Sequence, residues 1–451
     1  MSTGTNTNIY LQGNLAPVAE ELTDSALTVI GTIPTELDGR YLRNGPNPIG
    51  SQDAAAYHWF TGDGMVHGVR LGDGNARWYR NRWVRSPGVR ELLGEPSQPN
   101  PFPAERSFAA NTNVIGHAGR TFAVVEAGGL PVELTDELET VGFTDFDGTL
   151  QGSFSAHPKR DPATGELHVV GYSWTLGNSV HYIIVGTDGR VRTTRVVALA
   201  GAGSPMMHDL SITETRAVLF DLPCIFDIDA AMAGSLLPYL WHPENGARLV
   251  VLDKEAVGEA TVLEIDPCYV FHPLNAYDLP DGRIVIDLVK HPRMFDVDRH
   301  GPNEGIPTLE RWTLDPARGS VHQEVIDDAG QEFPRVDERL VGRQHRYGYS
   351  VRVLGNWQHA GLLRHDYQTG AVRTHDYGPG RATMEAVFVP RHAGAAEDDG
   401  WLISMVHDAN EGRGELVILD AATFDAEPVA RVLLPGRVPY GFHGNWIPTG
   451  Q

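Results

Sequence analysis

Four histidines share a setting suited to metal chemistry: His157 in SFSAHPKRD, His208 in SPMMHDLSIT, His272 in CYVFHPLNAYD and His443 in VPYGFHGNW. Each stands in or at the edge of an apolar run, beside a turn-capable residue. Four neutral imidazoles around one point suit a borderline divalent metal such as Fe, Cu, Ni or Zn. They do not suit Mg or Ca, which want oxygen ligands. For any one of them alone, the plain alternative is a core histidine hydrogen-bonded to backbone. Their separations argue for a set: 51 residues from 157 to 208, 64 from 208 to 272, and 171, three times 57, from 272 to 443. A four-stranded propeller blade takes roughly 40–60 residues, so the intervals are about one, one and three blades. Equivalent inner strands surround a propeller axis, where four rings could converge. His58, His67 and His407 have similar surroundings, and spacing alone does not exclude them. His242, His291, His300, His322, His345, His359, His365, His375 and His392 lie among charges or turn residues and read as solvated.

The elements that would hold such a set are short, β-branched runs. TFAVVEA at 121–127, LHVVGYSW at 167–174, HYIIVG at 181–186, RAVLFDL at 216–222, RLVVLD at 248–253 and RIVIDLV at 283–289 are examples, continued by EAVFVP at 385–390, WLISMVHD at 401–408 and GELVILD at 414–420. Fifty glycines and 30 prolines are spread along the whole chain, which breaks it into strands and turns rather than linkers. Asp-Gly at 73–74, 147–148, 188–189 and 281–282 suits hairpin turns. One stretch, 226–241, has helical composition, interrupted by Pro238. More than twenty short strands without a boundary predict an all-β propeller, in which radial repetition hides strand edges. No clean internal repeat gives the blade number.

With 451 residues, 41% hydrophobic, the chain can bury a large core. Its 36 Lys+Arg against 58 Asp+Glu, a net charge of −22, argue against nucleic acid as a partner and against electrostatic adsorption to an anionic membrane. Cys224 and Cys268 form no CxxC pair, which excludes a disulfide scaffold and a zinc ribbon. The polar start lacks the charged and apolar regions of a signal peptide, and no run of about 18 apolar residues occurs. The expectation is a soluble, cytoplasmic monomer.

Eight ordered blocks carry a resemblance: GTIPTELDGRYLRNGPNP at 31–48, HWFTGDGMVHGVRL at 58–71, NTNVIGHAGRTFAVVEAGGLPVEL at 111–134, FSAHPKRDPATGELH at 154–168, MMHDLSIT at 206–213, FHPLNAYD at 271–278, EFPRVDERLVGRQHRYGY at 332–349 and YGFHGNW at 440–446. Through them the sequence resembles the carotenoid cleavage oxygenase family, which includes a retinoid isomerase and bacterial lignostilbene dioxygenases. The resemblance implies a seven-bladed β-propeller with an apolar loop and short-helix cap over the metal-bearing axis. It implies an N-terminal extension, 1–30, partly ordered on a single propeller domain, 31–451. It also implies one Fe(II) bound by His157, His208, His272 and His443. Glu126, Glu332 and Glu385 match carboxylates that hydrogen-bond the far ring nitrogens of the ligands, leaving one ligand without a charged orienter. Without the resemblance, a Glu in EAVFVP reads as a rim residue. Arg43, Asn44 and Pro46 read as packing residues, and His58 and His67 as structural, near the Asp63-Gly64 turn.

The implied reaction is O2-dependent scission of one C=C bond to two carbonyl products. In the family branch that cleaves phenolic stilbenes, a lysine precedes the first of these glutamates and binds the phenolate. Val125 stands there in this chain and cannot do so. A carotenoid or apocarotenoid is therefore the expected substrate, with stilbene or phenylpropene cleavage as the alternative and a non-enzymatic binding propeller below both. Met232, Leu236, Leu237, Tyr239, Leu240 and Trp241 form an apolar segment that either dips into lipid as a peripheral membrane contact or packs on the propeller as a cap.

Overall fold

The computed structural model describes residues 8–450, so positions 1–7 of the expected N-terminal extension lie outside the described residues. Seven antiparallel sheets of four or five strands follow one another along the chain, with one additional two-stranded ribbon. They are the seven blades of a β-propeller. The first is built on Gly39–Pro46, Gly64–Gly72 and Asn75–Trp83, the second on residues 113–143, the third on 159–198 and the fourth on 210–265. The fifth spans 273–327, the sixth 331–375 and the seventh 381–433.

Strand burial follows position in the blade. Gly39–Pro46 and Gly400–Asp408 are buried at every residue, as strands covered on both faces must be. Outer strands such as Ser320–Asp327 are largely solvated. At the Asp73-Gly74 turn both residues have positive φ, 51° and 70°, the twist that a two-residue hairpin between Gly64–Gly72 and Asn75–Trp83 requires.

The ring closes twice. The C-terminal strand Gly444–Pro448 pairs with Gly39–Pro46 in the first blade, and Thr28–Gly31 pairs with Ala430–Leu433 at the outside of the last. Each chain end thus completes the blade begun by the other.

The 226–241 stretch is not one helix. Asp227 caps a five-residue helix, Ile228–Met232, by accepting from the Ala230 amide at 2.7 Å. Gly234 then turns the chain at positive φ, and Tyr239–Trp241 returns to pair with Cys224–Phe226. No helix among the described residues is long and apolar enough to cross a membrane.

Five histidines expected to be solvated are instead buried: His291, His345, His359, His365 and His375. Charged sequence neighbours mislead here because successive strand residues face opposite sides. His365 bonds Asp327 at 2.9 Å, His375 the Phe424 carbonyl at 2.9 Å, and His359 the Thr383 carbonyl at 3.1 Å.

Candidate metal centre

His157, His208 and His272 stand one or two residues before the innermost strands of the third, fourth and fifth blades, and His443 immediately before the closing strand of the first. His157 and His272 each precede a proline, which holds the histidine backbone extended. The His443 segment is gripped instead. Asn44 donates its amide to the His443 carbonyl at 2.9 Å and accepts from the Phe442 amide at 3.1 Å. Its side chain is tied to the Ala110 and Asn113 carbonyls. A Cβ at position 441 would stand 1.9 Å from the buried Arg43 guanidinium, so that position requires glycine. Arg43 and Asn44 therefore pack, and in packing they aim His443.

One nitrogen from each of the four rings lies within 4.8 Å of every other. Nε2 of His157 is 2.9 Å from Nε2 of His443, and Nε2 of His208 is 3.2 Å from Nε2 of His272. The three glutamates come from the remaining blades: Glu126 from the end of a strand in the second, Glu332 and Glu385 from inner strands of the sixth and seventh. Seven blades thus contribute one residue each. Glu126 faces His157 Nδ1 at 3.0 Å, Glu332 faces His272 Nδ1 at 2.6 Å, and Glu385 faces His443 Nδ1 at 2.9 Å. His208 has only the second oxygen of Glu126 at 3.7 Å, beyond a hydrogen bond. Register breaks accompany both inner-strand glutamates, at Glu332/Arg335 and Thr383/Ala386. Phe333 and Ala127, which follow Glu332 and Glu126, have φ of 55° and 57°. Bulges of this kind re-aim a side chain that regular pairing would direct elsewhere.

Sequence reasoning missed His291. It is buried, and its Nε2 donates to the other oxygen of Glu332 at 2.8 Å, so Glu332 bridges two imidazoles. Its flanks, Lys290 and Pro292, signal a solvated turn and gave no hint of this.

The electrostatics keep three of the rings, His157, His208 and His443, neutral. Burial and the neighbouring imidazoles hold His157 and His208 well below the usual histidine range, and burial brings His443 to about 4. Burial alone would raise Glu385, but Arg335, 3.1 Å away, and His443 outweigh it and pull the carboxyl down to about 2. Burial likewise opposes ionisation of Glu332, and His272 and His291 overcome it. Burial pushes Glu126 up to about 8, a rise that a divalent cation beside it would oppose.

These residues fit a metal. With Nδ1–H of His157 and His443 donated to Glu126 and Glu385, their Nε2 lone pairs face each other across 2.9 Å with no proton between them, an arrangement that a bound cation relieves. Nitrogens 2.9 and 3.2 Å apart are also spaced as neighbours around one ion with bonds of about 2.1 Å.

Beside the rings lies an apolar cavity of about 580 Å³, bounded by His208, His272 and His443 and by aromatic side chains including Phe60, Phe271 and Phe333. Val125, next to Glu126, is in its wall. Trp174, Ile228 and Leu236 line its outer end and are more than half exposed, so the cavity reaches the surface there. The apolar segment divides at this point. Met232 and Leu236 face outward, Leu237 and Tyr239 line the cavity, and Leu240 and Trp241 are half-buried.

A propeller with four axial histidines, backed by carboxylates and opening on an apolar cavity, defines a metalloenzyme class. The family model described as RPE65, retinal pigment epithelial membrane protein, matches residues 15–448. A carotenoid cleavage oxygenase of Mycobacterium tuberculosis is 47% identical over 98% of this chain and 98% of its own length. The crystal structure of cobalt-substituted Synechocystis apocarotenoid oxygenase superposes with a TM-score of 0.87 at 28% identity, covering 96% of this chain and 97% of that one. Pseudomonas brassicacearum lignostilbene dioxygenase gives 0.88 at 26% identity over 98% of both chains. The chain belongs to the RPE65/carotenoid cleavage oxygenase family, and it is an oxidoreductase of dioxygenase type.

Proposed function

We propose that this enzyme is a non-haem Fe(II) dioxygenase that cleaves one C=C bond of a carotenoid or apocarotenoid. One alkene and one O2 give two carbonyl products, so the atoms balance without another reductant. His157, His208, His272 and His443 would hold the iron, with Glu126, Glu332 and Glu385 fixing the tautomers of three of them. When bound, the iron supplies the electron transfer that ground-state dioxygen needs to react with an alkene.

The observation that carries the substrate class is the cavity. Its wall beside the histidines is aromatic and aliphatic, which suits a polyene whose binding energy is buried apolar area. Phe60, Phe271, Phe333 and Phe442 would confine one double bond against the imidazoles and keep water from it. Val125 offers no donor to a phenolate. The Mycobacterium relative's name supports the same class. The likeness to the lignostilbene enzyme keeps stilbene cleavage as the second reading.

The exposed Met232, Leu236, Ile228 and Trp174 at the cavity mouth further support peripheral contact with lipid, from which such a substrate must be withdrawn. With a net charge of −22, that contact would be apolar and not electrostatic.

Incubating iron-loaded enzyme under ¹⁸O2 with a C40 carotenoid, an apocarotenal and a hydroxystilbene tests the proposal. Label in carbonyl products of either polyene is expected. Turnover of the stilbene alone would transfer the assignment to the second reading, and no turnover of any of them would refute both.

A further inference from the structure

The four imidazoles form a wall between two cavities of opposite character. His208, His272 and His443 face the apolar one, and His157, His272 and His443 face a second of about 100 Å³. That second cavity is lined by residues on or immediately beside the inner strands of all seven blades, among them Asn113, Lys159, Asp209, Arg335 and Asn445, so it lies on the propeller axis. It has room for about three waters at liquid density. Its charged groups are three carboxylates, Asp209, Glu338 and Glu385, against Lys159 and Arg335. Both cations are engaged, Lys159 by Asp209 at 2.7 Å and Arg335 by Glu338 at 2.8 Å. Glu338 is half exposed and marks the solvent end, whereas Glu385 touches His443 and marks the inner end.

A hydrated divalent cation entering by the apolar cavity would have to shed water against a wall that is mostly aromatic and aliphatic, with only a few side-chain oxygens, such as those of Thr61, Asn111, Thr112 and Glu126, to replace it. The axial cavity offers carboxylates and amides along the whole way. We propose that this axial cavity is the path by which the metal reaches the four histidines, and that the apolar cavity serves only the organic substrate and dioxygen. The proposal rests on the four-histidine reading above. It assigns Glu338, which touches no histidine of the set, a role in attracting the cation.

The test is Co(II) uptake by the full chain stripped of metal with a chelator, followed by the visible absorption of the bound ion. Glu338→Lys should slow uptake about tenfold or more, as charge steering does, with Glu338→Gln between it and wild type, and all three should end at one Co(II) per chain. Met232→Glu, which adds a carboxylate near the apolar mouth, should leave the rate unchanged. Wild-type uptake of one Co(II) at a rate indifferent to Glu338→Lys, or accelerated by Met232→Glu, would overturn this path and leave the four-histidine centre standing. A wild-type chain that takes up no Co(II) would overturn the centre and the path together.

Discussion

Glu385 is an anion removed from water and held from three sides, by His443 at 2.9 Å, Arg335 at 3.1 Å and the Gly444 amide at 2.9 Å. Glu126, with backbone and hydroxyl donors but no cation, sits in a weaker field. Glu385→Gln should therefore weaken metal binding about 10–100-fold and also lower thermal stability, because Arg335 loses a buried counter-charge. Glu126→Gln should weaken metal binding with a smaller loss of stability. Co(II) titration together with melting curves separates the two effects. Equal stability losses would contradict the argument. His291→Leu takes one of two imidazole donors from Glu332 and should reduce metal affinity about tenfold, while leaving both cavities lined as before. At this scale the histidines are legible in the sequence because equivalent blade positions recur at blade-length intervals. The glutamates recur at similar intervals, 206 residues over four blades and 53 over one, but they sit at a strand end and at two bulges, where a Glu reads locally as a rim residue. Only family resemblance finds them, and nothing in the sequence finds His291.

The elements are legible where alternation and punctuation agree. RLVVLD and GELVILD form strands within one residue of their expected bounds, and the LHVVGYSW run forms a strand that ends three residues early, at Gly171. Residues 226–241 are not legible in this way, because apolar residues that line a cavity and apolar residues that face outward look alike without the turn at Gly234 between them. The same division makes the segment testable. Met232 is 82% exposed and does not line the cavity, so its apolar area can be removed without altering the cavity wall. Withdrawing a methionine side chain from lipid loses about 1.5–3 kcal/mol. Met232→Asp should accordingly reduce co-sedimentation with neutral phosphatidylcholine vesicles about tenfold or more, with metal content unchanged. Vesicle binding equal to wild type would mean that this face does not meet lipid.

At the scale of the molecule, the double closure is hidden from sequence reading because it joins residues 28–31 to 430–433 and 39–43 to 444–448, across almost the whole chain. The packing that results buries more histidine than local context suggests, and this gives the whole fold a pH dependence. His58, His168 and His359 are not among the four convergent histidines, and burial lowers them to about 3, 4 and 4. An unfolded histidine titrates near 6.5, so between that value and the folded one the unfolded chain binds more protons. Stability is then fully present above about pH 6.5 and is lost as the pH falls. From pH 7 to 5 each such residue removes about 2 kcal/mol. His168 provides the clearest test, because its Nδ1 meets the Tyr182 hydroxyl at 2.7 Å, a neutral partner that cannot offset protonation. Denaturation midpoints of the metal-free chain should fall steeply between pH 7 and 5. The His168→Gln variant, whatever its stability at pH 7, should have a slope shallower by up to one proton, about 1.4 kcal/mol per pH unit. Parallel slopes for variant and wild type would mean that His168 binds its proton equally in the folded and unfolded chains, and that the acid lability arises at other buried histidines such as His58 and His359.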